Sequence, residues 1–194
     1  MNNQDIPEKI KEKLYPALLE LCSNNDYHQV NMREIAARSE ISLGTIYKYF
    51  SSKQEMVFTV IDESLEKLND RIKTHVKGLE DPKEIFRKVF WATMDFYDQN
   101  NGVAITGFIT VPTKTWMEKK TYRRDSTGKV LAEILDDVKK KGGINTEIHI
   151  RTLNHLYYMF CQRHVLVWYY HGKKWKLADK ISDFYDLFWR IIKP

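Results

Sequence analysis

The chain has 194 residues, 43% of them hydrophobic and 13% aromatic, which suffices for one large domain or a small domain joined to a larger one and excludes disorder as its class. Its net charge of +5 permits a nucleic-acid partner without requiring one. No apolar leader opens the chain and no stretch approaches a membrane span, so a soluble, cytoplasmic protein is expected.

In chain order, Asp5 can cap a first helix with Pro7 in its first turn. Ile10, Leu14, Ala17, Leu18, Leu21 and Cys22 then form an apolar stripe at helical spacing. Pro16 removes one backbone hydrogen bond inside that stripe, so a kink or a break near Tyr15 is expected. Asn25, just before Asp26 and Tyr27, is expected to close the helix in the left-handed conformation. Asn31 and Glu34 have the spacing of a capping box and open a short helix, which Ser39-Glu40-Ile41 ends. Ser42 can cap a second short helix from Leu43 to about Phe50, with Ile46 and Phe50 on one face and Tyr47 beside them. Ser52 and Glu55 repeat the box spacing and start a third helix. Two short helices on a tight turn, followed at once by another, are the layout of a helix-turn-helix, whose second helix enters the DNA major groove.

From Lys53 a long helix should run to about His75, with Met56, Val57, Val60, Ile61, Leu65, Leu68 and Ile72 on one side. Gly78 and Asp81-Pro82 end it and open a helix over 82–99. The stretch from Val103 to Tyr122 is β-branched and carries Gly107 and Pro112. It reads as one helix before Pro112 and a loop or short helix around Trp116. Further helices are expected from Ser126 or Thr127 to Lys141, from Asn145 or Thr146 to about Tyr170, and from Leu177 to Ile192. No segment has strand periodicity. The fold class is therefore all-α, with a small helix-turn-helix head over 1–53 and a larger helical body over 54–194.

Residues 1 to 60 hold seven basic and eight acidic side chains, a net of −1. Between Ile41 and Lys53, however, Lys48 and Lys53 are the only charges, so the docking surface carries no acid to repel phosphate. The segments Met32-Arg33-Glu34-Ile35-Ala36, Ile41-Ser42, Gly44-Thr45-Ile46-Tyr47 and Tyr49-Phe50 with Ser52-Lys53 resemble the N-terminal domain of the tetracycline-repressor (TetR) family, over roughly residues 8 to 60. Two positions depart from its pattern. Asn25-Asp26 stands where Gly usually closes the first helix, and Glu40 stands where Gly is usual in the turn. If the turn is kept, Glu40 must take a positive φ, which costs roughly 1 kcal/mol.

The resemblance implies a dimeric regulator that binds a palindromic DNA operator and is released by a small-molecule effector, most often a repressor. By position in its motif, Arg33, Ser42, Leu43, Gly44, Thr45, Tyr47, Lys48, Tyr49 and Lys53 are the DNA-contact candidates. Gly44 would let the backbone approach the groove, Leu43 could touch a thymine methyl, and Tyr47 and Lys53 look like phosphate anchors. Ile46 and Phe50 read as core, and Arg38 as a surface pair. The resemblance places the dimer surface on the last two long helices, with Leu156, Phe160, Phe184 and Phe188 as candidates. The body's many aromatics suggest an apolar or aromatic effector, with Trp91, Phe108, Trp116 and Tyr158 as candidate lining. Cys22 and Cys161 read as buried free thiols. Cys161, His164, Trp168 and His171 share a helix face but lack a dense ligand cluster, so packing is favoured and no metal or cofactor is expected. No catalytic arrangement is present. The alternatives are a helical interaction protein that binds no DNA, or an enzyme using an aromatic pocket in the body.

Overall fold

The computed structural model describes residues 6–118 and 125–194, and every regular element in them is helical. They divide into two compact units. The first comprises the described parts of Met1–Ser64 and Asn101–Tyr122, and the second those of Leu65–Asn100 and Arg123–Pro194. Among the described residues no helix is long and apolar enough to cross a membrane.

The first unit opens with α1 (Glu8–Asn24), whose Leu14, Ala17, Leu18 and Cys22 are buried. Asp5 lies outside the described residues, and Pro7 occupies the cap position itself, ahead of the first turn. Pro16 does not split the helix. It is exposed, and so is Glu12, whose carbonyl loses its usual partner where water can replace it. Asn25 is extended at φ −128°, not left-handed. Its side-chain amide and its backbone N–H both donate to the Leu21 carbonyl, at 3.0 and 3.1 Å, so the helix end is satisfied without a left-handed turn.

α2 (Met32–Ser39), α3 (Leu43–Tyr49) and α4 (Lys53–Val76) follow, α4 beginning in the first unit and ending in the second. The stretch 101–118 also belongs to the first unit. There α6 (Asn101–Ile105) continues into a π-helical turn, Thr106–Thr110, and α7 (Thr113–Glu118) comes after Pro112. The expected single helix before Pro112 is thus half π-helical. α6 lies against α1 so closely that a Cβ at Gly102 would come within 2.9 Å of the Leu19 Cβ.

The second unit is built around α5 (Pro82–Gln99), which Asp81 caps by accepting from the N–H groups of Lys83 and Glu84. Phe90 on α5 is fully buried and sits 5.0 Å from Tyr157 and 4.8 Å from Phe188, ring centre to ring centre. The other elements are α8 (Asp125–Lys140), α9 (Ile150–Tyr170), a 3-10 turn at Leu177–Lys180, and α10 (Ser182–Ile192). α9 starts later than Asn145 or Thr146. The Asn145 side chain turns back to accept the Glu147 N–H at 2.9 Å, and His149 supplies the cap by accepting from the Arg151 N–H at 3.1 Å. The Asp98 carboxylate of α5 holds the 3-10 turn through the N–H groups of Leu177 (2.7 Å) and Ala178 (2.9 Å).

Candidate nucleic-acid interface

Local side-chain hydrogen bonds fix the geometry of α2, α3 and the start of α4. Asn31 Oδ1 accepts the N–H groups of Arg33 (3.1 Å) and Glu34 (3.0 Å) and so fixes where α2 begins. At the other end Glu40 is left-handed, φ 55° and ψ 31°, and the Ile41 N–H reaches back to the Ala36 carbonyl at 3.2 Å. This Schellman closure leaves three residues, Glu40 to Ser42, between α2 and α3 and is the tight turn that the sequence requires. The strain at Glu40 is tolerated because its neighbours over-determine the turn. The buried Ser39 hydroxyl donates to the Ile35 carbonyl at 2.7 Å.

Ser42 Oγ accepts the Thr45 N–H at 3.1 Å and lies 2.8 Å from the Thr45 hydroxyl. Ser52 Oγ accepts the Glu55 N–H at 3.1 Å, while the Glu55 carboxylate takes both the N–H (2.8 Å) and the hydroxyl (2.5 Å) of Ser51. The second box therefore closes one residue early, on Ser51.

Between these caps α3 divides cleanly. Ile46 and Phe50 are buried. Ser42, Gly44, Tyr47 and Lys48 are exposed, Tyr47 at 51%, and Leu43, Thr45 and Tyr49 are half-buried. A Cβ at Gly44 would meet nothing within 4 Å, so no packing inside the chain demands glycine there. Arg33, on α2, is exposed as well. Arg38 is engaged on the surface by a two-pronged pair with Glu20, at 2.5 and 3.1 Å.

Lys53 differs from its expected role as a phosphate anchor. Its ammonium turns inward and donates to the carbonyls of Tyr27 and Val30, the latter at 2.6 Å, and lies 4.2 Å from the centre of the Tyr27 ring. Burial lowers its pKa, a shift that nearby Cys22 and Asp26 partly oppose. Lys53 thus ties the start of α4 to the segment joining α1 to α2. Burial pushes the adjacent Cys22 thiol up to about 11, so it stays protonated.

A second tie escaped sequence reasoning. Glu63 on α4 accepts the Tyr15 hydroxyl at 2.9 Å and the Lys11 ammonium at 2.7 Å. These partners lie 48 and 52 residues away, too far for any spacing pattern to show them.

The candidate effector aromatics do not fall in one unit. Phe108, in the π-turn, and Trp116, stacked on Phe58 at 4.7 Å, belong to the first. Trp91, packed against His75 and Lys88, and Tyr158, beside Tyr157, belong to the second. Of the candidate dimer residues, Leu156, Phe160 and Phe184 are half-buried, whereas Phe188 is 1% exposed and is core. The exposed large apolar side chains of α9 and α10 are instead Met159, Tyr169, Tyr170, Leu187 and Ile191. On the face shared by Cys161, His164, Trp168 and His171, His164 Nε2 is hydrogen-bonded to the Leu177 carbonyl at 3.0 Å, and the Trp168 indole donates to the Trp175 carbonyl at 2.9 Å.

Residues 14–60 match the family model described as "Bacterial regulatory proteins, tetR family". The regulator HbdR of Aromatoleum sp. (strain CIB) is 24% identical over 101 residues, which span 52% of this chain and only 44% of that protein. Solved structures share the fold, two of them over nearly the whole chain. One is the fatty acid degradation regulator FadR from Bacillus halodurans, with a TM-score of 0.80, 19% identity, and 95% of this chain and 96% of that one covered. The other is FadR from Bacillus subtilis in complex with stearoyl-CoA, with a TM-score of 0.77, 19% identity, and 91% and 96% covered.

Proposed function

We propose, from its membership of the TetR family of bacterial regulatory proteins, that this chain is a cytoplasmic transcriptional repressor and not an enzyme. It holds a palindromic operator as a homodimer and leaves it when an apolar effector binds. The observation that carries this reading is α3. It is a seven-residue helix capped at its start, anchored by Ile46 and Phe50, with an outward face that offers Gly44, Tyr47 and Lys48 and carries no acid. On that face Ser42, Leu43 and Thr45 are assigned to base edges and Tyr47, Lys48 and Tyr49 to phosphates and groove walls, and Arg33 of α2 is assigned to phosphates as well.

One head covers few base pairs, so specificity needs a two-fold partner. We assign the dimer surface to α9 and α10, where Met159, Leu187 and Ile191 expose apolar side chains beside Leu156, Phe160 and Phe184. The functional division is a DNA head over 1–53 and an effector and dimer body over 54–194. For the effector, likeness of fold to a FadR that holds stearoyl-CoA supports a long-chain acyl thioester, and Phe108 and Trp116 are the side chains assigned to it. Release follows if the effector binds the DNA-incompetent state more tightly, and DNA must then weaken effector binding by the same factor.

The test is selection of bound DNA from a random pool at moderate salt, followed by titration of the recovered probe with stearoyl-CoA. A palindrome that stearoyl-CoA displaces is the expected result. Recovery of no consistent sequence from folded, dimeric protein would remove the DNA-reading assignment.

A further inference from the structure

The π-helical turn Thr106–Thr110 is the irregular stretch of the first unit, and such turns cluster at functional sites. Thr106 is fully buried, and its hydroxyl has no hydrogen-bond partner. The Thr110 hydroxyl, four residues on and therefore on much the same face, is also buried and unpartnered. Threonine in a helix ordinarily bonds its hydroxyl back to the carbonyl four residues earlier, as Thr59 and Thr93 do here. Leaving two such groups without a partner in the protein is costly, and a native fold keeps them for a reason. A Cβ at Gly107, between them in sequence, would meet nothing within 4 Å, so the turn borders open space.

We propose that Thr106 and Thr110 form the polar end of the effector site and donate hydrogen bonds to an acceptor oxygen of the effector. This rests on the acyl-thioester reading above, in which the acceptor is the thioester carbonyl. Free hydroxyls suit that group because a carbonyl accepts on two lone pairs and brings no donor of its own. The apolar chain then lies toward Phe108 and the Phe58–Trp116 stack.

The same segment is wired to the DNA head. α7 is joined to the first turns of α4 at two points, the Gln54 amide donating to the Thr115 carbonyl at 3.1 Å and Phe58 stacking on Trp116. Gln54 and Phe58 follow α3 within a few residues. A ligand seated on the π-turn therefore acts on α4 where it emerges from the head, and its differential contacts with α7 bias the two states.

The experiment uses the full-length protein on its selected operator. Release by stearoyl-CoA is compared with release by S-octadecyl-CoA, a thioether of equal chain length without the carbonyl. In the wild type the thioester should act at about tenfold lower concentration, as expected for one or two hydrogen bonds made in a buried site. In Thr106→Val and Thr110→Val that preference should fall toward one, and Thr106→Ser should restore it. Because each valine replaces an unpaired hydroxyl, the urea midpoint of the ligand-free variants should hold or rise. Equal potency of the two compounds on the wild type would overturn the threonine site while leaving the acyl-CoA reading intact. A clear loss of stability in the valine variants would overturn it too, since the hydroxyls would then already be satisfied by buried water alone. No release by stearoyl-CoA from the wild type would overturn the acyl-CoA reading, and the threonine site with it.

Discussion

Within the first unit, residues 31–55 and residues 101–118 reach their shapes by opposite means. In the former, Asn31, Ser42, Ser52 and Glu55 each accept a backbone N–H from at most four residues away, and each bond marks a helix end. In the latter, shape comes from distant partners: Leu19 against Gly102, Gln54 on the Thr115 carbonyl, Phe58 on Trp116. A segment built to enter a groove has to keep its form with one face in solvent. A segment built to respond to a ligand is better held by contacts that a ligand can exchange. The locally fixed head should therefore fail only when its few internal anchors are removed.

Ile46→Ala removes one of these anchors. Ile46 is completely buried beneath α3, and its truncation should cost about 2–5 kcal/mol. The expected outcome is a broad loss of operator affinity together with a lower denaturation temperature. An equal truncation of half-buried Ile109 in the π-helical turn should cost less and leave operator binding in place.

Lys53 and Lys48 sharpen the comparison, because they are adjacent charges of the docking segment with different work. Lys53→Met takes the donor from two backbone carbonyls and should destabilise the head by about 1–3 kcal/mol. Operator affinity falls, but its dependence on salt concentration should keep its slope, since no phosphate contact is lost. Lys48→Ala should leave stability alone and flatten that slope by about one counterion. A flattened slope in Lys53→Met would show that the ammonium swings out to the backbone of DNA.

The same contrast explains what could be read in advance. The left-handed Glu40 was expected only from the family's turn, whereas the caps at Asn31, Ser42 and Ser52 and the core roles of Ile46 and Phe50 are all encoded within five residues of where they act. So were the helices over 53–76 and 82–99, whose apolar stripes are long and whose ends carry Gly78 and Pro82. The π-turn could not be read, since β-branched residues between Gly107 and Pro112 fit several backbones and packing on α1 selects one. The inward turn of Lys53 was hidden for a related reason: its motif position suggests a phosphate, and only the fold brings two carbonyls to its ammonium. Phe188 looked like interface because one helix cannot reveal which of its faces a neighbour already covers, and Phe86 and Phe90 cover this one.

A smaller effect separates geometry from contact within α3. Ser42→Ala removes the cap on Thr45 and should lower stability by about 1 kcal/mol. It also frees the Thr45 hydroxyl, so the preference at the base pair beneath Thr45 should relax more than overall affinity falls. A variant whose affinity drops equally on all operator sequences would instead assign Ser42 to the phosphates.

Glu40→Gly has the smallest expected effect. Glycine relieves a left-handed φ that costs a side-chain-bearing residue about 1–2 kcal/mol, but it also gives the unfolded chain more freedom, worth about 0.5–1 kcal/mol. The exposed pair between Glu40 and Lys13, at 3.1 Å, is lost as well and contributes little. A gain of a few tenths of a kcal/mol should remain, visible as a higher urea midpoint at unchanged slope. Glu40 is also the acid nearest in sequence to the docking segment, and its removal lets Lys13 act as an uncompensated charge on the same head. Operator binding should therefore strengthen at low salt, about twofold, and converge with the wild type as salt screens the difference. Tighter binding that persisted at high salt would mean that the turn itself had moved, and that the strain at Glu40 helps set how α3 is presented to the groove.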